Sequence, residues 1–144
     1  MTTNTELIRF LEAQNQVYLK ALSELKKGKK ETHWMWYIFP QLKGLGSSET
    51  AQFYGIKDIN EATTYLQHPI LGQHLIEISS VVLQLEGKTV AEIFGTPDDL
   101  KLRSCMTLFA TVENTHPVFA KVLEKYFKGI SDERTLQLLN RIKL

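Results

Sequence analysis

The sequence predicts an all-α fold: residues 1–144 as a single compact domain of about seven short-to-medium helices with one irregular aromatic segment. Three observations lead there. Apolar residues recur at spacings of three and four over most of the chain. Cap signals, in which Ser, Thr or Asp precedes Glu by three residues or Pro precedes acids, punctuate it at short intervals. No run alternates apolar and polar residues as a half-buried strand requires.

The elements follow in order. Thr3 with Glu6 fits a capping box, after which Leu7, Ile8, Leu11, Tyr18, Leu22 and Leu25 recur at helical spacing. Gly28 supplies a left-handed stop, and Lys26, Lys27, Lys29 and Lys30 cluster at the end where cations complement the helix dipole. His33-Trp34-Met35-Trp36-Tyr37-Ile38-Phe39-Pro40-Gln41 then fits neither a helical nor a strand period. Ser47 or Ser48 caps a short helix through Tyr54, and Asp58 with Glu61 forms another box-like pair before Ala62 and Leu66. Pro69 suits the first turn of a longer helix carrying Ile70, Leu71, Leu75, Ile78, Val82 and Leu85 to Gly87. Thr89 with Glu92 opens a short helix ending near Gly95. Thr96-Pro97-Asp98-Asp99 combines a cap, a proline at the first helical position and two acids at the positive helix end, ahead of Leu102, Met106, Phe109 and Val112. Pro117 opens the next helix, through Val118, Val122, Leu123 and Phe127 to Gly129. Ser131 and Asp132 start a last one through Leu136, Leu139 and Ile142.

The chain is long enough to bury roughly 70% of its unfolded surface in one core. Its 43% hydrophobic and 23% charged residues are those of a globular protein, and a net charge of +1 provides no overall field toward polyanions or anionic membranes. Nonspecific nucleic-acid binding is therefore not expected. The apolar run Trp34 to Phe39 is far short of the ~20 residues that span a bilayer, so no membrane association is expected. The N-terminus has no basic segment followed by an apolar stretch, so no secretory signal is expected either. The one cysteine, Cys105, has no partner for an internal disulfide, which makes a reducing cytoplasm the expected compartment. No His or Cys pairs stand at zinc-ligand spacing, and no metal is expected.

Candidate chemistry gathers in three places. In the aromatic stretch, six bulky residues in a row suit a core plug. The same residues beside Lys30, His33 and Gln41 suit stacking of a planar group on Trp34 or Trp36, with hydrogen bonds to its edge. Gly44-Leu45-Gly46-Ser47-Ser48 precedes a helix start that favours an anion, although it lacks the Gly-Lys-Ser/Thr ending of a P-loop; Ser47 is either an ordinary cap or an anion contact, with Tyr54 nearby. Asp98 and Asp99 match the dipole at a helix start, or face a cleft as base or electrostatic stabiliser together with His33. Lys101 and Ser104 stand three apart and hence share a face, which makes a polar ridge. Cys105, beside Met106, reads as a small buried hydrophobe. His68 and His116 each precede a proline at a helix start, where boundary roles are commonplace.

Taken together, Gly28-x-Lys30-x-x-His33-Trp34-Met35-Trp36-x-Ile38-Phe39-Pro40-Gln41-x-x-Gly44-Leu45-Gly46-x-Ser48, with Ala51 and Tyr54, resembles the domain-of-unknown-function 1810 family, whose members are often labelled "calpastatin". The likeness continues through Tyr65-Leu66-x-His68-Pro69-x-Leu71-Gly72 and Ile93-Phe94-Gly95-x-x-Asp98-Asp99-x-Lys101-x-x-Ser104-x-Met106-Thr107-Leu108-Phe109, nearly the whole chain. Two positions depart from the family pattern: Cys105 replaces a usual serine, and His74 replaces an expected arginine. The resemblance implies a small helical cytosolic domain without a settled activity. The calpastatin label does not suit a chain with a capped, periodic helical core, since that inhibitor type is extended until bound.

Two functions compete at this level. One is a pocket protein or enzyme for a planar phosphorylated small molecule of nucleotide or ADP-ribose type. A looser resemblance to the NADAR superfamily, N-glycosidases acting on ADP-ribosylated bases, points the same way; there an acid at Asp98 or Asp99 would stabilise an oxocarbenium-like transition state. The other is a noncatalytic protein-interaction module using the aromatic segment, with Trp and Tyr as hot spots. The sequence names no cofactor and no protein partner. Burial of Trp34 and Trp36 discriminates: a concavity with converging polar groups favours the pocket, a flat patch favours docking, and full burial favours core.

Overall fold

Helix boundaries follow the chemistry of the residues that flank them. In the computed structural model, which describes residues 4–143, α1 runs Asn4–Lys26. It stops at Gly28, whose φ of +87° suits a residue without a Cβ, and the N–H groups of Gly28 and Lys29 donate to the carbonyls of Leu25 and Glu24. The capping box expected of Thr3 and the side chain of Ile142 lie outside the described residues. The buried face of α1 is Leu7, Phe10, Gln14, Tyr18, Ala21 and Leu25. Ile8, expected among them, is 42% exposed because it lies out of phase with that stripe.

The aromatic stretch is not wholly irregular. Met35–Ile38 forms one helical turn, α2, with no side-chain cap. Ser48, not Ser47, caps α3 (Glu49–Phe53) by accepting from the Ala51 N–H. Asp58 caps α4 (Ile59–Gln67) as expected, but Glu61 does not complete a box: its carboxylate accepts from the Lys57 N–H and pairs with Arg9 at 3.0 Å. α5 (Leu71–Gln84) begins after Pro69 rather than on it, because His68 Nδ1 accepts from the N–H groups of Ile70 and Leu71. Thr89 and Glu92 form the full capping box of α6 (Val90–Phe94).

At α7 (Asp98–Ala110), Pro97 occupies the cap position and not the first helical one; the Thr96 hydroxyl donates to Asp99 instead of capping. His116 Nδ1 accepts from Val118 N–H at the start of α8 (Val118–Phe127), which ends on Lys128 and Gly129 at positive φ. Asp132 caps α9 (Glu133–Lys143) through Thr135. Among the described residues there are nine helices and no strand, against the seven or so expected; a parallel bridge joins Leu42 and Ile56.

α7 is the axis of this all-α domain. It packs against α4, α6, α8 and α9, while α5 packs against α1, α4 and α8. Leu102 and every residue from 104 to 109 are buried, so α7 has apolar neighbours nearly all round and shows little amphipathic contrast in sequence. Its Phe109 meets Tyr65 and Phe119, and Tyr65 meets Phe10 edge-on at 5.1 Å and 87°. No helix among the described residues is long and apolar enough to cross a membrane.

Candidate functional site

The loop after α1 is folded around one carboxylate. Glu24 is buried near the end of α1 and accepts four hydrogen bonds: from the N–H groups of Glu31 and Thr32, the Thr32 hydroxyl and the Trp34 indole. Burial alone would raise its pKa, but these donors outweigh it and hold the carboxyl at about 2. The indole N–H that a buried tryptophan must satisfy is thus satisfied, and Trp34 is only 1% exposed.

With the loop fixed, Lys30 turns inward. Its backbone N–H donates to the Ile93 carbonyl at 2.7 Å, joining the loop to α6. Its ammonium donates to the Thr32 carbonyl at 2.7 Å, pairs with Asp98 Oδ2 at 2.9 Å and lies 4.9 Å from the Trp34 ring centroid. Lys101, one turn along α7, pairs with the other Asp98 oxygen at 3.0 Å, and its ammonium lies 4.4 Å from the Trp36 ring centroid. Asp98 therefore holds two ammonium groups in place, each against an indole. Partial burial works against its charge, but the hydrogen bonds and ion pairs to Lys30 and Lys101 prevail, so its carboxyl sits below the ordinary range. It stays anionic at neutral pH and has no proton to give.

These groups border a cavity of about 290 Å³ between the aromatic segment, α3 and the start of α7. Trp36, half-buried, forms one wall with Tyr37, and Thr50 of α3 and the exposed His33 complete the rim. α3 closes on Trp36 because Gly46 has no side chain: a Cβ there would stand 2.7 Å from Ala51 Cβ and 3.0 Å from the Trp36 ring. Two lysines against one aspartate leave a positive balance, suited to an anion beside a flat group.

Of the residues singled out in the sequence, Lys30, His33, Trp34, Trp36, Asp98 and Lys101 meet at this cavity. The others lie elsewhere. Gln41 is buried, its amide Nε2 unpartnered, and its carbonyl accepts from Ile56 N–H beside the Leu42 bridge. Ser47 is exposed, its carbonyl accepting from Gln52. Tyr54 backs Tyr37 at 5.1 Å between ring centroids. Asp99 receives the Thr96 hydroxyl. Ser104 is buried and donates to Asp132 at the start of α9, because α7 is covered on that side. Met35, Tyr37 and Thr50 were missed: Met35 and Tyr37 by being two more bulky residues in an aromatic run, Thr50 by a close approach that depends on Gly46.

A family model described as "Protein of unknown function (DUF1810)" matches residues 4–139. The chain belongs to the DUF1810 family. A DUF1810 chain of this sequence is also similar to a solved structure, that of the conserved hypothetical protein Rv1873 from Mycobacterium tuberculosis. The two share 48% identity and a TM-score of 0.93 over 96% of this chain and 99% of that one. Comparison with curated proteins gave no match. The DUF1810-like motifs read in the sequence converge in space: of the side chains lining the cavity, all but Tyr37 and Thr50 belong to them.

Proposed function

We propose that this cavity binds a planar, phosphorylated small molecule of the nucleotide or ADP-ribose class. The observation that carries the reading is the pair of ammonium groups, Lys30 and Lys101, fixed by one carboxylate and laid against Trp34 and Trp36 at a single concavity. Phosphate oxygens would accept from the lysines, the planar group would lie against Trp36 and Tyr37, and His33 would hydrogen-bond its edge. At about 290 Å³ the cavity is at the small end of ligand sites, the size of one nucleotide unit and not two. The docking alternative draws less support, since Trp34, Met35, Ile38 and Phe39 are buried. Such a ligand and a buried free thiol both suit a cytoplasmic setting.

Isothermal titration with AMP, ADP-ribose and nicotinamide mononucleotide, against adenosine and inorganic phosphate as controls, tests the proposal. Saturable binding of a phosphorylated planar compound, weaker for adenosine and lost in Lys101→Met at unchanged melting temperature, is the expected result. At a hundredfold excess over Kd the ligand should stabilise the fold by about 2.7 kcal/mol. Absence of binding across the panel, or undiminished binding by Lys101→Met, would rule it out.

A further inference from the structure

A cavity of about 490 Å³ lies on another face, between α1 and the first turns of α5. Its polar floor is a single hydrogen-bonded assembly. Gln14, 3% exposed, places its amide nitrogen 2.7 Å from the Tyr37 carbonyl and 2.9 Å from the Tyr65 hydroxyl. A carbonyl only accepts, so the amide orientation is fixed and Gln14 Oε1 is the atom 2.8 Å from His74 Nδ1. Two acceptors cannot bond without a hydrogen between them; Nδ1 therefore carries the proton. Burial lowers the His74 pKa and favours the neutral ring. Neutral His74 then has a bare lone pair at Nε2, which makes no hydrogen bond among the described residues. The ring is held flat on Tyr18, centroids 3.6 Å apart and planes 8° from parallel.

Tyr18 in turn donates its hydroxyl to Glu77, and burial together with that carboxylate raises the phenol pKa, so it remains the donor. Glu77 is the only charged side chain lining the cavity. Leu11, Leu19 and Ile70 form its walls, and the last two are 77% and 50% exposed. The recess thus combines two acceptors, one negative charge and apolar sides, with the buried donors of Gln14, Tyr18 and His74 already committed and the exposed Asn15 at its edge.

We propose that this recess is a second ligand site, for an amphipathic organic cation: an ammonium or guanidinium group on an apolar or flat body. The cation's N–H groups donate to Glu77 and to His74 Nε2, and its body lies between Leu11, Leu19 and Ile70. An anion is repelled by Glu77, and the buried donors of Gln14, Tyr18 and His74 are already engaged. The site shares none of its lining with the Lys30–Asp98–Lys101 cavity, so either can fail without the other.

Two-dimensional NMR of the full chain, following the His74 and Tyr18 rings, tests the assignment with 2-phenylethylammonium and benzamidinium as probes. Phenylacetate and 2-phenylethanol are the controls. Both cations should shift the His74 and Tyr18 resonances saturably, and the controls should not. Glu77→Gln retains an acceptor for Tyr18 and should weaken cation binding about two- to fivefold with the melting temperature unchanged. Equal shifts with phenylacetate, undiminished binding by Glu77→Gln, or no shift by either cation at about 10 mM would overturn the proposal. So would a dimer in light scattering that Leu19→Lys dissolves, since the face would then belong to a second copy.

Discussion

A buried carboxylate that accepts four hydrogen bonds is an anchor, and Glu24 shows what one residue can organise. Without it, two backbone N–H groups, a hydroxyl and an indole would be left inside with no partner, and Lys30 and Trp34 would lose their fixed positions. Glu24→Ala should destabilise the fold by about 3 kcal/mol or more, measured by urea denaturation. The same residue sets an acid limit. Its folded pKa is depressed from the ordinary 4.5 to about 2, so its stabilising effect is complete above about pH 4.5 and is lost as pH falls through about 2. The effect is on the order of 3 kcal/mol. The wild type should lose stability over that window, and Glu24→Ala should lose less. Nothing in the sequence marks Glu24, because an acid two positions before a helix end reads as surface. Gln14, not singled out in the sequence, does carry a signal: it stands in register with Leu7, Phe10, Tyr18, Ala21 and Leu25, a polar residue on an apolar stripe.

Between elements, glycines decide which helices can touch. Gly72 lies where α5 crosses the end of α4, and a Cβ there would sit 2.0 Å from the Leu66 carbonyl oxygen. Backbone on both sides leaves nothing flexible to move aside, so Gly72→Ala should cost about 3 kcal/mol or more in chemical denaturation. Gly87→Ala is the control: a Cβ there meets nothing within 4 Å, and only its φ of +74° opposes the change, at about 1 kcal/mol. Caps were the most legible feature at this scale, since Ser48, Asp58, Thr89 and Asp132 all cap helices near where their residue type and spacing placed them. Starts involving proline were less so. At α5 and α8 a histidine imidazole caps the helix across the proline, an arrangement that proline statistics alone do not reveal.

For the whole molecule, the helical class was readable because period and caps agree, while the candidate pocket was readable only in its parts. Lys30, His33, Trp36, Asp98 and Lys101 were each noticeable by residue type. Their convergence depends on the loop around Glu24 and on α6 holding Lys30 to the start of α7, long-range facts that local pattern does not carry. Ser104 does not join them: it is buried and hydrogen-bonds Asp132, a long-range contact of the same kind. Cys105, next to it on α7, is fully buried and burial pushes its thiol pKa well up. Ellman's reagent should therefore leave the native protein unlabelled and react as urea unfolds it. Labelling in buffer faster than global opening would show α7 to be less central than its packing indicates.

Two tryptophans separated by a single residue differ in exposure: both border the cavity, but Trp34 is buried with its indole on Glu24 and Trp36 is half-buried. They are two optical reporters supplied by the chain itself. The Trp34→Phe protein would emit from Trp36 alone, and its fluorescence would follow occupancy of the cavity. The Trp36→Phe protein would emit from the buried indole, and its signal would follow the integrity of the loop that builds the cavity.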